Sequence, residues 1–188
     1  MSGDEPSDES LIERFAGGEA EAFDRLYRRH ELRVWRYLER TVRDRTAADD
    51  LMQDVWFSVA REAAGYRPHA RFTTWLFTIA HHRAIDWLRA RRPHSSLDAP
   101  EPDAAVAAAL VDPSPGPERH AERAAEGAQL LAAIGALPAE QRDAFLLQAE
   151  GGLSVEEIAT ATGTNFETAK SRLRYARARL RERLAEVP

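Results

Sequence analysis

A proline-rich, acidic stretch between residues 93 and 118 constrains the fold of this 188-residue chain more than any other feature. Six of the ten prolines fall in it, and it contains five acidic residues but no lysine or arginine. Proline lacks a backbone N–H and biases the preceding residue away from helix, so this stretch cannot continue a helix. We therefore predict a flexible linker over residues 93–125, with at most a short turn of helix at 104–111. The alternative is a surface loop within one domain, but structureless loops of this length are uncommon.

The segments on both sides of the linker are predicted to be helical. Before the linker, apolar residues recur at steps of three and four, which indicates three long helices, two of them over about residues 46–62 and 71–92. No alternation typical of a strand extends beyond a few residues. The predicted fold class is therefore all-α, with two small helical domains at 10–92 and 126–185. An acidic N-terminal tip, residues 1–9, precedes them.

The C-terminal segment carries the signals of a helix-turn-helix. Ser154 and Glu157 have the spacing of a capping box, in which a hydroxyl and a carboxylate each accept a backbone N–H at the start of a helix. Thr164 and Glu167 repeat this spacing ten residues later. Gly163 lies between the two boxes, where a left-handed residue can end the first helix and redirect the chain.

These signals predict a short helix over about residues 155–162 and a longer helix over about 165–185. In a helix-turn-helix, the second helix can enter the major groove of DNA, led by its first turn. Its predicted apolar face consists of Ala169, Leu173, Ala176, Leu180 and Leu184. Off that face lie the first-turn residues and the cations: Asn165, Phe166, Glu167, Thr168, Lys170, Arg172, Arg174, Arg177 and Arg181. The alternative interpretation is a solvated basic face on a purely structural helix.

An acidic polar patch is predicted on the second helix of the N-terminal domain. It contains Asp49, Asp50, Gln53 and Asp54, and Asp50 lies one helical turn from Asp54. Such a patch suits a basic protein partner. The alternative is ordinary solvation near a helix start, where the helix dipole favours aspartate.

The next predicted helix combines aromatic and basic residues. Cations that follow a backbone, together with rings that can stack on bases, suit single-stranded nucleic acid. The residues concerned are Phe72, Trp75, Phe77 and Trp87, with Arg67, Arg71, Arg83, Arg89, Arg91 and Arg92. We assign Trp75 and Trp87 to the core rather than to base stacking.

The formal net charge of −5 hides an alternation along the chain. Residues 1–24 carry −7, residues 67–92 carry +5, residues 93–118 carry −5 and residues 163–188 carry +4. A polyanion responds to local charge, so the two basic segments favour nucleic-acid binding despite the acidic total.

Several classes of protein are excluded or disfavoured. The absence of cysteine excludes disulfides and a thiol nucleophile. No two histidines have the i, i+4 spacing of a helical metal site, and no glycine-rich phosphate loop is present. We therefore predict no catalytic residue, no metal and no cofactor. No apolar run is long enough to insert into a membrane, and the start of the chain is no signal peptide, so we expect a cytoplasmic protein.

Three blocks of the sequence resemble the extracytoplasmic-function group of bacterial sigma-70 factors. They are AADDLMQDVWFSVARE, FTTWLFTIAHHRAIDWLRARR and GLSVEEIATATGTNFETAKSRLRYARARL. The resemblance extends over roughly residues 10–92 and 126–185. It implies a region-2 domain, a linker and a region-4 domain, without a region-3 domain between them. One departure is His81-His82, where the family commonly has Arg-Asn, and this affects the expected −10 preference.

The resemblance also implies roles for individual residues. Core polymerase docking, on the clamp helices of the β′ subunit, falls to Asp49, Asp50, Leu51, Gln53, Asp54 and Val55. Contact with the −10 element is implied for Phe72, Thr73, Thr74, Trp75, His82, Arg83, Arg89, Arg91 and Arg92, and the basic pattern described above adds Arg67 and Arg71 to this predicted surface. Contact with the −35 element falls to Asn165, Phe166, Glu167, Thr168, Lys170, Ser171, Arg172, Arg174 and Arg177.

The predicted function is that of an alternative sigma factor, which binds core RNA polymerase and directs promoter recognition, −10 melting and transcription initiation. The expected partners are core polymerase, promoter DNA and an anti-sigma factor. Core polymerase is expected to be bound through its β′ clamp helices and its β subunit. The alternative is a helix-turn-helix regulator that binds DNA without polymerase, but such a protein needs neither the acidic patch nor the aromatic-basic helix.

Overall fold

The computed structural model describes residues 5–67, 70–91 and 117–185, and the regular structure in those ranges is helical. The helices are α1 (Asp8–Ala16), α2 (Ala20–Val42), α3 (Arg45–Glu62), α4 (Phe72–Arg91), α5 (Pro117–Gly135), α6 (Ala139–Ala149), α7 (Val155–Ala161) and α8 (Phe166–Ala185). This confirms the all-α class. Within the described ranges, every helix is too short or too polar to cross a membrane.

The N-terminal domain is built on the hairpin of α2 and α3, against which α4 and α1 pack. Arg43 has a φ of 58° and ends α2 in the left-handed conformation. Asp44 then caps α3, where its Oδ1 accepts the N–H of Ala47 at 3.0 Å. That backbone bond, with help from Arg91, lowers the pKa of the Asp44 carboxyl. The turn between the two helices is therefore fixed by local chemistry.

Helix α1 overlaps the predicted acidic tip. It begins at Asp8, after the N-cap Ser7, and it buries Leu11 and Ile12 in the core. Glu9 Oε1 accepts the N–H of Phe72 at 2.9 Å, so α1 also holds the first residue of α4. Residues 8 and 9 therefore belong to the folded N-terminal domain.

Helix α5 begins inside the predicted linker, because Pro117 is its first residue. Proline is favoured at the first helical position, where its missing N–H has no intrahelical partner to lose and its φ already suits a helix. The predicted linker therefore ends too late, because the last of its prolines starts a helix instead of preventing one. The predicted turn at 104–111 lies outside the described residues.

The helix-turn-helix of α7 and α8 is present, and one of its two predicted capping boxes forms. Ser154 Oγ accepts the N–H of Glu157 at 3.2 Å, and Glu157 Oε2 accepts the N–H of Ser154 at 2.7 Å. Gly163 has the predicted left-handed conformation, with a φ of 63°. The second box was predicted wrongly, because Asn165 Oδ1 caps α8 by accepting the N–H of Thr168 at 2.8 Å.

Candidate nucleic-acid interfaces and the contact between the domains

Helix α8 has the two faces that the sequence predicts. Ala169, Leu173, Ala176 and Leu180 are buried against the rest of the C-terminal domain. Leu184, which was predicted to share this face, is largely exposed, so the buried stripe ends at Leu180. The outer side of the first turns is exposed at Asn165, Phe166, Glu167, Lys170 and Arg174.

Four of the cations of α8 fall into two groups. Arg172 donates to Glu140 Oε2 at 2.6 Å and Arg177 donates to Gln148 Oε1 at 2.5 Å, so both fasten α8 to α6. Arg174 lies 4.9 Å from the centre of the Tyr175 ring, and Lys170 lies 5.5 Å from that of Phe166. Both of these cations are exposed, with Lys170 3.6 Å from Glu167 and Arg174 donating to the Tyr175 hydroxyl at 3.2 Å, and both can reach a phosphate or a base edge.

A groove of about 580 Å³ separates the start of α6 from the first turns of α8. Thr168 and Ser171, both half-buried, lie along it, together with Asn165 and Arg172. Tyr175 closes one side of the groove and is 51% exposed. The sequence analysis missed Tyr175, although it is the one aromatic residue among the basic positions of α8.

On α3, the predicted docking residues divide between surface and core. The polar ones, Asp49, Asp50, Gln53 and Asp54, are exposed on one side of the helix. Leu51 and Val55 are 5% and 0% exposed, so they cannot contact a partner in this structure and instead fix α3 to the domain core. The motif therefore contains both exposed polar residues and buried apolar residues, and the sequence alone does not tell them apart.

Two further side chains extend this exposed face. Phe57 is 72% exposed and follows Gln53 by one helical turn. Trp35 on α2 donates its indole N–H to Asp49 Oδ1 at 2.7 Å, and Arg45 lies 5.6 Å from the Trp35 ring. Phe57 could have been found from its position off the apolar stripe of α3. Trp35 could not, because its contact with Asp49 joins two helices.

At the start of α4, Phe72 is 0% exposed and packs within 6.3 Å of the rings of Tyr66, Trp75 and His30. The Phe72 ring therefore completes the core in this structure, and its contact with DNA stays a prediction. Trp75 and Trp87 are half-buried and pack against the core, as their core assignment predicts, and the −10 contact expected of Trp75 stays a prediction.

The arginines near α4 differ in the groups that their side chains contact. Arg83 donates to Ser58 Oγ at 2.8 Å and Arg91 donates to Asp44 Oδ2 at 2.7 Å, so both join α4 to the neighbouring structure. Arg67 donates to nearby backbone carbonyl oxygens, and exposed Arg89 lies 3.6 Å from Asp86. Arg92 lies outside the described residues.

His81 and His82 face different surroundings. His82 is exposed, and its pKa is lowered by partial burial and then by the proximity of His81, which favours the neutral ring. His81 is buried at the contact between the domains, where its Nδ1 lies 3.1 Å from Asp143 Oδ2. Tyr37 donates its hydroxyl to Asp143 Oδ1 at 2.7 Å, and burial, then Asp143, raises the pKa of Tyr37.

The two domains pack against each other through α2 and α4 on one side and α6 and α7 on the other. We call this the closed arrangement. Besides the buried group of Tyr37, His81 and Asp143, it contains an ion pair between Arg40 and Glu150. The backbone at Gly151 comes so close that an added Cβ would lie 3.0 Å from the Phe77 ring.

Residues predicted to contact DNA take part in the closed arrangement. Arg71 donates to both carboxylate oxygens of Glu157, at 3.2 and 2.6 Å, and Thr74 donates its hydroxyl to Glu157 Oε1 at 2.5 Å. Thr73, between them, is half-buried. Burial would raise the pKa of Glu157, but the bonds from Arg71, Thr74 and the Ser154 amide outweigh it and lower that pKa to about 2.

An acidic and apolar face on one domain and a basic helix-turn-helix on the other define a two-domain, DNA-binding helical protein. The family models of sigma-70 region 2 and sigma-70 region 4 match residues 26–94 and 127–180. The chain belongs to the sigma-70 family of RNA polymerase sigma factors and, within it, to the extracytoplasmic-function (ECF) group. It is an alternative sigma factor.

Known relatives match nearly the whole chain. RNA polymerase sigma factor CarQ of Myxococcus xanthus is 37% identical over 177 residues, which are 94% of this chain and 97% of that protein. ECF RNA polymerase sigma factor SigE of Mycolicibacterium smegmatis is 36% identical over an alignment of 188 positions, which covers 97% of this chain and 71% of that protein.

Solved structures share the fold. The structure of CnrH in complex with the cytosolic domain of CnrY has a TM-score of 0.67 at 23% identity, and the match covers 97% of this chain and all of that one. The sigma factor RpoE of Bartonella quintana, in complex with the anti-sigma factor NepR, has a TM-score of 0.65 at 20% identity, over 90% of this chain and all of that one.

Proposed function

We propose that this sigma factor uses three separate surfaces to start transcription at its promoters. The exposed face of α3 binds core polymerase at the β′ clamp helices, the start of α4 holds the opened −10 strand, and the outer side of α8 reads the −35 element. The arrangement of α8 supports this proposal most directly. Its apolar side is buried while Lys170, Arg174 and the first turn remain exposed, as a helix that enters a major groove requires.

The acidic face of α3 suits a basic protein surface. Asp49, Asp50 and Asp54 concentrate negative charge beside the exposed ring of Phe57. Charge of this kind speeds the encounter with a partner and fixes its orientation, while a large exposed ring provides apolar contact area. The Trp35–Asp49 hydrogen bond holds one of the carboxylates in place.

The chain itself carries out no covalent step in this proposal. It acts in the cytoplasm, where polymerase and promoter DNA are found, and polymerase supplies the catalysis. We also propose an anti-sigma factor as a partner, because the structural neighbour RpoE is bound to one.

The proposal is tested by transcription with purified core polymerase on fragmented DNA of the source genome, followed by sequencing of the RNA 5′ ends. We expect new start sites that share two upstream elements at a fixed spacing, and none of them with core polymerase alone. A polymerase-independent regulator would bind DNA but produce no new start sites. That outcome would overturn the proposal.

A further inference from the structure

We propose that Arg71 and Thr74 form a site for a backbone phosphate of the opened promoter strand, and that Glu157 of the same chain fills this site in the closed arrangement. The inference rests on the proposed role of α4 in holding the −10 strand. It adds the chemical class of the ligand, a phosphodiester, and it identifies an intramolecular competitor for it.

The donors around Glu157 are those that bind phosphate. Arg71 offers Nε and Nη2 to the two oxygens of one carboxylate, and the Thr74 hydroxyl provides a third donor to the same group. A guanidinium fork matches carboxylate and phosphate geometry equally well, and charge-assisted bonds of this kind are the strong ones. The Glu157 carboxylate therefore occupies the position that a phosphate group would take.

Separation of the domains affects the two sides of this contact differently. Glu157 keeps a partner within its own domain, because its Oε2 also accepts the N–H of Ser154 at 2.7 Å. Arg71 loses Glu157 and also the carbonyl oxygen of Gly152, to which it donates at 2.9 Å. Thr74 loses Glu157, the acceptor of its hydroxyl. The open form thus presents a cation and a hydroxyl that need a new acceptor, and a phosphate supplies one.

It follows that the closed arrangement and the bound −10 strand compete for the same donors. Arg71 and Thr74 cannot direct these bonds to Glu157 and to a phosphate at once. The face of α3 that carries Asp50 and Asp54 is exposed in the closed arrangement, so core polymerase can bind before the domains separate. Glu157 therefore lowers the affinity of the chain for the −10 strand without affecting its initial binding to core polymerase.

The test compares Glu157→Gln with Glu156→Gln in the full chain. Glutamine at position 157 retains the capping-box partner but removes the charge. Glu156 is the matched control, because it occupies the same first turn of α7 and is exposed, and its side chain makes none of the bonds to Arg71 or Thr74. The probe is a fluorescent oligodeoxythymidylate, used with natural phosphodiester linkages and with uncharged methylphosphonate linkages.

We expect Glu157→Gln to bind the natural oligonucleotide about two- to fivefold more tightly, the range typical of a partly exposed ion pair. Glu156→Gln should bind like the unmodified chain. The gain should vanish with methylphosphonate linkages, and also when Arg71→Gln is added to Glu157→Gln. Equal gains for the two glutamine variants, or a gain that persists on the uncharged backbone, would overturn the phosphate site.

A second measurement follows the domains directly. The chain contains no cysteine, so Glu21→Cys and Glu182→Cys, both at exposed positions, allow two spin labels to be placed specifically. The oligonucleotide and Glu157→Gln should each increase the population with a long distance between the labels. Binding without any change in distance would refute the competition. Failure of the proposed function is distinguishable, because it would appear as absent initiation with core polymerase whatever these binding results are.

Discussion

The two surfaces that we assign to promoter DNA differ in their accessibility. On the N-terminal domain, Arg71 and Thr74 are engaged by Glu157 of the other domain. On the C-terminal domain, Lys170 and Arg174 project from α8 and have no contact with the N-terminal domain among the described hydrogen bonds and ion pairs. The closed arrangement therefore engages the Arg71 and Thr74 donors of the candidate −10 surface, whereas the first turns of α8 on the candidate −35 surface make none of the described bonds to the other domain.

The difference follows from what each surface is made of. The start of α4 offers donors that one carboxylate can satisfy, and the adjacent Phe77 packs against the backbone of Gly151. The cations of α8 that could bridge to another element, Arg172 and Arg177, are already paired within their own domain. Lys170 and Arg174 have only local aromatic or acidic neighbours, so the first turns of α8 stay available to DNA.

The largest expected effect concerns the proposed polymerase-binding face of α3, which is exposed like the outer side of α8. Replacing Asp54 with arginine places a like charge against a basic partner, which costs several kcal/mol. We expect the affinity for core polymerase to fall at least about tenfold while the distance between the domains is unchanged. Fluorescence titration with core polymerase measures this effect.

The matched control for that substitution is Asp24→Arg, which makes the same charge reversal at an exposed position on α2. It should retain the affinity of the unmodified chain. If Asp54→Arg and Asp24→Arg lower the affinity equally, the face of α3 is not the docking surface.

The exposure of α8 is tested by Arg174→Ala. Loss of one cation that reaches a base edge typically costs about 1–3 kcal/mol in DNA affinity. We expect this loss for a duplex that carries the −35 element found by the transcription experiment, measured by fluorescence anisotropy. Arg179→Ala, at an exposed position five residues further along α8, is the control and should have a smaller effect on binding to that duplex. Equal losses would show that α8 contributes only general positive charge.

The contact of Glu157 with Arg71 and Thr74 requires the closed arrangement, which we expect the buried group of Tyr37, His81 and Asp143 to stabilise. Asp143→Ala removes the 2.7 Å acceptor of the Tyr37 hydroxyl and leaves it the longer contact with His81 Nδ1, at 3.3 Å, and a poorly paired buried polar group costs up to about 1–3 kcal/mol. We expect the spin labels at positions 21 and 182 to report a larger separated population. Asp143→Asn retains an acceptor oxygen and should restore most of the closed arrangement. A closed population that Asp143→Ala leaves unchanged would mean that the buried group does not hold the domains together.

These contacts also mark the limit of what the sequence could predict. The three long helices of the N-terminal domain, the helix-turn-helix, the Ser154–Glu157 capping box and the left-handed Gly163 follow from signals that act within a few residues, and the structure has all of them. The bond from Thr74 to Glu157 joins residues 83 positions apart, and no local pattern encodes it. The motif blocks named Leu51, Val55 and Phe72 as contact residues because a motif records residue identity and not burial.

The smallest expected effect is the pH dependence of the closed population, which Glu157 controls through its bonds to Arg71 and Thr74. In the closed arrangement the pKa of Glu157 is about 2, below its ordinary value of 4.5, so closure favours the charged carboxylate. The contribution of Glu157 to closure is therefore fully present above about pH 4.5 and is lost as the pH falls toward 2. Only the part due to Arg71 and Thr74 is linked to closure, because the bond to the Ser154 amide persists when the domains separate.

Distance measurements between the two labels at pH 6 and pH 4 test this dependence. The unmodified chain should show a modest increase in the separated population at pH 4, where the carboxylate of the open form begins to gain protons. Glu157→Gln should show a separated population that depends less on pH, since an amide does not titrate in this range. If both proteins respond equally, another carboxylate controls the opening, and the Arg40–Glu150 pair at the same contact is the next to be replaced.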